Sequence, residues 1–383
     1  MKVTEDILYV GVNDHETDLF EGQYKIPNGI SYNAYVIMDE KIALMDTVDK
    51  KKCDEYLANL DAALAGKTPD YLIVQHVEPD HASSIKAVVD KYPNICIAAS
   101  AQALKVLPLY FELDLSGAIT LKEGSELCLG SHTLTFVSAP MVHWPEVMMT
   151  YDMKDKVLFS ADGFGKFGAL DVEEDWDDEG RRYYFNIVGK FGQQVQAVLK
   201  KAAGLEISTI CPLHGPVLTD MIPHVLEKYN IWSSYGAESE GVMVAYVTMH
   251  GNTGNAARKI AAILEEKGCP HVELTDLART DSSEALSQAF NYGKVILASP
   301  SYNTGVNPIM SDFLHHICIK NYQNRTIGII ENGSWAPSAA RTMKGIMAEL
   351  KDITYIDPVV TIRGALKESD TEALNALADS MLK

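Results

Sequence analysis

The sequence predicts an α/β protein in two parts, a sandwich of mixed β-sheets followed by a doubly wound parallel sheet. Three observations carry that prediction. A chain of 383 residues exceeds the usual size of a single hydrophobic core. Short β-branched runs bounded by turn residues alternate with helix-like stretches along it. Near Gly241 the rhythm shifts from strands that open as hairpins to a regular strand–helix alternation, which gives expected domains of residues 1–240 and 241–383.

In the first part the strand-like runs are ILYVGV from Ile7, then SYNAYVIM, KIALMDTV, YLIVQH, ICIAAS and LTFVSA, the last ending at Ala139. KKCDEYLANLDAALAG and ASSIKAVVDKYP lie between them as helices. VLFSADGFG, from Val157, reads as one more strand ending in a loop. DVEEDWDDEGRRYYFNIVGKF opens on a dense acidic run, expected to be a solvated loop without a catalytic role, and then becomes helical. In the second part GVMVAYVTM is a buried-type strand, HGNTGN a polar turn, and AARKIAAILEEKG an amphipathic helix closed by glycine. HVELTDL, KVILASP, RTIGIIEN and TYIDPVVTI supply further strands, and a final helix starts at about Thr371. No proline- or serine-rich linker marks the join, and no internal repeat is present.

Hydrophobic residues make up 47% of the chain and charged ones 22%, an ordinary balance for a globular protein with sizeable cores. The net charge of -19 argues against nucleic acid, whose binding relies on Lys and Arg replacing counterions. The start, MKVTEDILYVGVND, lacks the basic and apolar regions of a signal peptide, and no stretch approaches the ~18 apolar residues of a membrane span. A cytoplasmic protein with no membrane partner is expected. Six cysteines are scattered singly without a CxxC pair, which argues against a disulfide framework and against an iron–sulfur or rubredoxin-type site. Most are expected to be small buried apolar residues.

QHVEPDHASS, residues 75–84, puts His76, Glu78, Asp80 and His81 into one loop after the apolar run YLIV. Three further segments supply candidate ligands after strand-like runs: APMVHWPE with His143, VLFSADGFG with Asp162 and CPLHGPV with His214. Taken singly, a histidine after a strand is more often a packed or capping residue than a ligand. Four histidines and three carboxylates together suffice to surround two metal ions if Asp162 bridges them.

The order and spacing of the four segments resemble the metallo-β-lactamase superfamily, where an H-x-H-x-D-H loop is followed by His, Asp and His from later strand ends. Here Glu78 stands where that loop has its second histidine. A carboxylate makes the site harder and more anionic, suited to Fe(II) and Fe(III) rather than to a zinc hydrolase. With the doubly wound domain that follows, the chain resembles the flavodiiron proteins over essentially its whole length. The resemblance implies an N-terminal metallo-β-lactamase-like αββα sandwich and a C-terminal flavodoxin-like sheet. It also implies two non-haem irons per chain: His76, Glu78 and His143 on one, Asp80, His81 and His214 on the other, with Asp162 bridging. Members of the family differ in whether the histidine at the position of His81 is a ligand.

TMHGNTGNAARKIA, residues 248–261, lies between a strand and a helix, where hydroxyls and backbone N–H groups hold a phosphate and the helix dipole favours its charge. Neither GxGxxG nor GxxxxGK[ST] is present, so a monophosphate such as that of FMN fits better than a dinucleotide or a nucleoside triphosphate. Thr248, Met249, His250, Gly251, Asn252 and Thr253 form this candidate phosphate loop. SPSYNTGVNP follows KVILA and offers Ser299, Pro300, Ser301, Tyr302, Asn303 and Thr304. ENGSWAPSA follows RTIGII and offers Asn332, Gly333, Ser334, Trp335 and Ala336. Tyr302 and Trp335 put an aromatic into each later loop at the carboxyl edge of the sheet, where a planar ring can pack or where the aromatic merely caps a small core. The three loops together resemble flavodoxin, which implies that the later two surround the isoalloxazine.

A flavin beside a non-haem di-iron pair implies a reductase of a small diatomic gas, O2 to water, NO to N2O, or both. No metal-independent catalytic residue is expected beyond the ligands. The family arrangement implies a head-to-tail homodimer, or a dimer of such dimers, in which the partner chain supplies the nearer flavin. No rubredoxin-like segment or flavin-reductase domain follows Lys383, so a separate donor such as rubredoxin or reduced coenzyme F420 is expected. Two rival readings are a zinc-dependent hydrolase carrying a flavodoxin module and a non-catalytic flavin carrier with a degenerate first domain. Glu78 opposes the first and the intact ligand set the second.

Overall fold

The computed structural model describes residues 2–383, and its contacts divide the chain into two units that meet between Asn230 and Ile231. In the first unit a six-stranded sheet runs in the order Ile7–Tyr9, Tyr35–Ile37, Ala43–Met45, Tyr71–Val74, Cys96–Ser100, Ile119–Leu121. Its first three strands pair antiparallel, as the opening hairpin pattern predicts, and the remainder pair parallel. A five-stranded sheet follows: Glu126–Cys128, Thr133–Ser138, Met148–Asp152, Val157–Phe159, Thr209–Cys211. Alternate side chains of a strand point to opposite faces. Tyr35, Ile37, Met45, Ile73 and Ala98 from one sheet therefore meet Leu134, Phe136, Met148 and Phe159 from the other in one buried core. Helices connect the parallel strands. Cys53–Leu64 buries Tyr56, Leu60 and Leu64, four residues apart on one face, and stops at Ala65, whose φ of 48° is left-handed.

In the second unit the sheet order is Val272–Asp276, Ser239–Tyr246, Tyr292–Tyr302, Arg325–Asn332, with Ile353–Tyr355 and Val360–Ile362 both alongside the last; all these pairings are parallel. Gly305–Val306 folds back antiparallel on the end of Tyr292–Tyr302. From Ser239–Tyr246 the chain adds a strand on one side and then crosses to the other, which leaves a crevice at the carboxyl ends of the strands. Helix Asn252–Glu266 starts at Gly251 (φ 85°), is followed by Gly268 (φ 84°), and buries Ala256, Ala257, Ile260, Ile263 and Leu264.

The unit division falls before Gly241. Tyr235 and Gly236 accept hydrogen bonds from the buried Arg325 guanidinium, at 2.8 and 3.2 Å, and Phe290 O accepts a third at 2.6 Å. No sequence motif marks these residues, because backbone carbonyls of any residue type serve Arg325.

Two expectations need correction. Only Cys211 is buried; Cys128 is exposed on its strand, the other four are half-buried, and all six are free thiols. The acidic run is an exposed loop only through Asp175 and becomes helical from Trp176. Asp175 caps helix Trp176–Tyr183 by accepting from the Asp177 N–H, while Glu174 pairs with Lys166 at 2.8 Å and Asp177 with Lys228 at 3.1 Å. Among the described residues no helix is long and apolar enough to cross a membrane.

Candidate functional site

Strand Tyr71–Val74 ends at Gln75, whose backbone N–H and side-chain amide both donate to the buried Asp46 carboxylate at 2.8 Å. That grip fixes the exit of the loop. Glu78 then caps the short helix Pro79–Ala82, so His76 and Glu78 precede the helix while Asp80 and His81 lie in it. The backbone at Asp46, Met141 and Ala161 is left-handed, with φ of 55°, 65° and 49°; the latter two residues flank the loops of His143 and Asp162.

All seven expected ligands converge. His76 Nε2 lies 3.1 Å from Glu78 Oε2 and 3.2 Å from Asp162 Oδ2. His143 Nε2 lies 3.0 and 3.2 Å from the same two oxygens. The other oxygen of Asp162, Oδ1, is 3.4 Å from His81 Nε2 and 3.7 Å from His214 Nε2. Asp80 Oδ2 is 3.3 and 3.2 Å from those two rings. Asp162 thus turns one oxygen to each of two donor sets, His76–Glu78–His143 and Asp80–His81–His214, each compact enough to hold a metal ion.

The donor chemistry fits metal rather than protons. His214 Nδ1 donates to Ser31 O at 2.7 Å, so in the neutral ring Nε2 carries a bare lone pair, and it faces His81 Nε2 at 3.0 Å. Asp80 Oδ1, Asp80 Oδ2 and Asp162 Oδ1 are buried without a hydrogen bond. Such a group is costly unless a cation meets it. His76 Nδ1 donates to the buried Glu146 carboxylate at 2.8 Å, and the same oxygen accepts the Val77 N–H at 3.1 Å, which turns His76 Nε2 toward the cluster.

Electrostatics agree with that geometry. Burial by itself would raise Glu78, but hydrogen bonds from His143 and His76 hold its carboxyl well below the usual range, and Asp162 is depressed in the same way by His76 and His143. Burial opposes charge on His143, yet Asp162 and Glu78 push it up to about 9.

Around the cluster lie residues that sequence reasoning missed. Phe20 sits edge-on to the His214 ring at 5.3 Å, and Tyr32 contacts the His214 and His81 rings at 5.9 and 6.4 Å. Tyr183, from the run after the acidic stretch, lies 5.6 Å from His214, and its buried hydroxyl has no hydrogen-bond partner. A cavity of about 280 Å³ lined by Thr17, Phe20, Tyr32 and Lys51 reaches Glu78 and Asp80. The only sequence signal was the aromatic pair Tyr183–Tyr184.

In the second unit a cavity of about 490 Å³ opens at the strand ends. Thr248, Met249, His250, Asn252, Thr253, Pro300, Ser301, Tyr302, Asn303, Thr304, Asn332, Gly333, Ser334, Trp335 and Ala336 all line it. Gly251 and Ser299 are not in its wall: Gly251 is the left-handed turn before the helix, and Ser299 is buried with its hydroxyl donating to Pro300 O. Gly364 joins the wall, held by two hydrogen bonds with the Asn332 side chain, at 2.9 and 3.1 Å. Thr248 Oγ1 has no hydrogen-bond partner at the start of the helix Asn252–Glu266, which suits a phosphate oxygen. Trp335 is 79% exposed and Tyr302 43% exposed at the rim, as a ring-packing role requires.

Comparison with known proteins gives one consistent outcome. Residues 30–215 match the ODP family beta lactamase, and residues 243–376 match a flavodoxin domain family. The anaerobic nitric oxide reductase flavorubredoxin of Pectobacterium atrosepticum is 32% identical over 87% of this chain and 68% of that protein. The solved rubredoxin oxygen:oxidoreductase from Desulfovibrio gigas superposes with a TM-score of 0.92 at 27% identity, covering 100% of this chain and 97% of that one. The flavodiiron protein from Giardia intestinalis does so with a TM-score of 0.93 at 25% identity, covering 99% and 95%. With the same two domains in the same order and this likeness over nearly its full length, the chain belongs to the flavodiiron protein family.

Proposed function

We propose that this chain reduces a small diatomic gas, O2 to water or NO to N2O, with FMN at the cavity of the second unit and two irons between the two donor sets of the first. The division of Asp162, one oxygen toward each set, is the observation that carries this reading. When bound, the flavin supplies stored electrons and the irons a redox-active place for the gas.

The residues divide the remaining work. His76, Glu78 and His143 would hold one iron and Asp80, His81 and His214 the other, with Asp162 setting their spacing. Glu146 and Ser31 aim the histidines. Gas reduction consumes protons; burial and the nearby Asp162 and Asp80 carboxylates hold the unpartnered Tyr183 hydroxyl well above the usual tyrosine range, so beside His214 it would act as a neutral hydrogen-bond donor. Phe20 and Tyr32 pack against the His214 ring and line the cavity that reaches Glu78 and Asp80, the route by which a small gas would approach the cluster. Glu78 disfavours the hydrolase alternative, since it replaces an imidazole with a hard anionic ligand.

Names among the relatives, nitric oxide reductase and rubredoxin-oxygen oxidoreductase, support both gases and a separate donor such as rubredoxin. Reduced coenzyme F420 is the alternative donor. The head-to-tail homodimer and the functional division at residues 1–240 and 241–383 remain part of the proposal. Six free thiols agree with a reducing compartment such as the cytoplasm. Protein purified without oxygen after iron-replete growth should carry about two irons and one FMN per chain. Asp162→Ala should lose both irons and keep the flavin; stoichiometric zinc in the parent, or two irons in the variant, would contradict the reading.

A further inference from the structure

His214 stands on a loop, Pro212–Gly215, that has no helix or sheet ladder of its own; the Leu213 N–H donates to Ala161 O at 2.9 Å, and the remaining bonds come from one buried segment and its neighbours. Asn33 Nδ2 donates to Pro212 O at 2.8 Å and to Gly215 O at 2.7 Å, on the two sides of His214. The Asn33 backbone N–H donates to Leu213 O at 2.8 Å. Ser31 O accepts from the His214 ring, Ser31 Oγ accepts the Gly215 N–H at 2.8 Å, and the Tyr35 hydroxyl donates to Pro212 O at 2.9 Å. Asn33 Oδ1 accepts from the Tyr9 hydroxyl at 3.0 Å. The amide orientation is thereby settled: a carboxamide flipped the other way would face two carbonyls with its own oxygen.

The other donor set is held differently. His76 is gripped by the Glu146 carboxylate and by the strand exit at Gln75, and none of those residues touches the His214 loop through a hydrogen bond. Ser31 and Asn33 are fully buried, so water cannot replace a lost bond to Pro212 or Gly215.

We propose that Asn33 is a positioning residue for His214 and governs metal occupancy of the Asp80–His81–His214 set separately from the His76–Glu78–His143 set. The proposal rests on the di-iron reading above. Removing the amide donors leaves two buried carbonyls unmet around His214 and lets its ring leave the geometry the metal needs.

The test uses the full-length holoprotein and two variants. Asn33→Asp keeps the shape but replaces the donor with an acceptor, and Asn33→Ala removes both shape and donor. Iron per chain should fall from about two to about one in each. Flavin content should be unchanged, and the electron paramagnetic resonance of the oxidised protein should change from a coupled pair to an isolated high-spin ferric ion. Two coupled irons in Asn33→Asp would show that Asn33 merely fills space and would overturn the proposal. Loss of both irons from a variant with parental circular dichroism would overturn the claim of separate control. Should neither variant fold, Tyr35→Phe decides, because it removes one bond to Pro212 and leaves the ring in the core. Chelator should then extract one iron several-fold faster than in the parent and the other at the parental rate, and equal rates for the two irons would contradict the proposal. A parent protein without iron contradicts the di-iron reading instead.

Discussion

His143 must give up a proton before its Nε2 can bind a metal, and Asp162 and Glu78 push its pKa up to about 9 in the metal-free cluster. Metal and proton therefore compete for the same lone pair. Apparent iron affinity should therefore rise with pH through about 9, and proton release on loading should be larger below that value than above it. Anaerobic iron titration with a pH indicator measures both; an affinity independent of pH between 6 and 9 would contradict the assignment of His143. The seven clustered residues were legible in the sequence as a group because each follows a strand-like run at a fixed order and spacing. Glu146, Ser31 and Asn33 were not. They reach His76, His214 and Gly215 across 70, 183 and 182 residues, and a common polar residue type carries no mark of such a contact.

At the scale of elements, the flavin cavity depends on three loops and on a short tie that links them to a fourth. Asn332 spends its amide on Gly364, whose φ of 83° favours glycine, and so acts on the cavity through the wall it holds. Asn332→Ala removes two hydrogen bonds, worth about 1–3 kcal/mol together, and should weaken FMN binding roughly tenfold. Quenching of flavin fluorescence on titration measures this; an unchanged affinity would restrict Asn332 to a role in the empty cavity alone. The strands were readable from their buried β-branched runs, and the helix Asn252–Glu266 from its small and aliphatic face with glycine at each end. Gly364 was not: TYIDPVVTI reads as one strand, whereas the structure divides it between Ile353–Tyr355 and Val360–Ile362, and Gly364 follows the second without a separate signal.

For the molecule as a whole, the two architectures were legible from rhythm, whereas their seam was not. Arg325 is buried and, among the described residues, has no acidic partner; its two terminal nitrogens donate to backbone carbonyls, two of them from Tyr235 and Gly236, while Nε is left without a partner. A chain truncated to begin at Gly241 takes away two of the five carbonyls that guanidinium donates to and leaves Phe290, Gln323 and Asn324, at a cost of about 1.5–3 kcal/mol for each charged hydrogen bond lost. A chain beginning at Ile231 should fold and bind FMN, and the shorter one should melt well below it; equal melting temperatures would remove Arg325 from the account.

The central claim is that electrons held by the flavin unit reach a gas only through metal held by Asp162. Gas consumption by the full-length parent and by Asp162→Ala, each supplied with the same chemical reductant, tests it most directly. The flavin of both proteins should bleach at the same rate, and only the parent should consume O2 or NO above the slow rate of free flavin. Equal consumption by the iron-free Asp162→Ala protein would contradict the account.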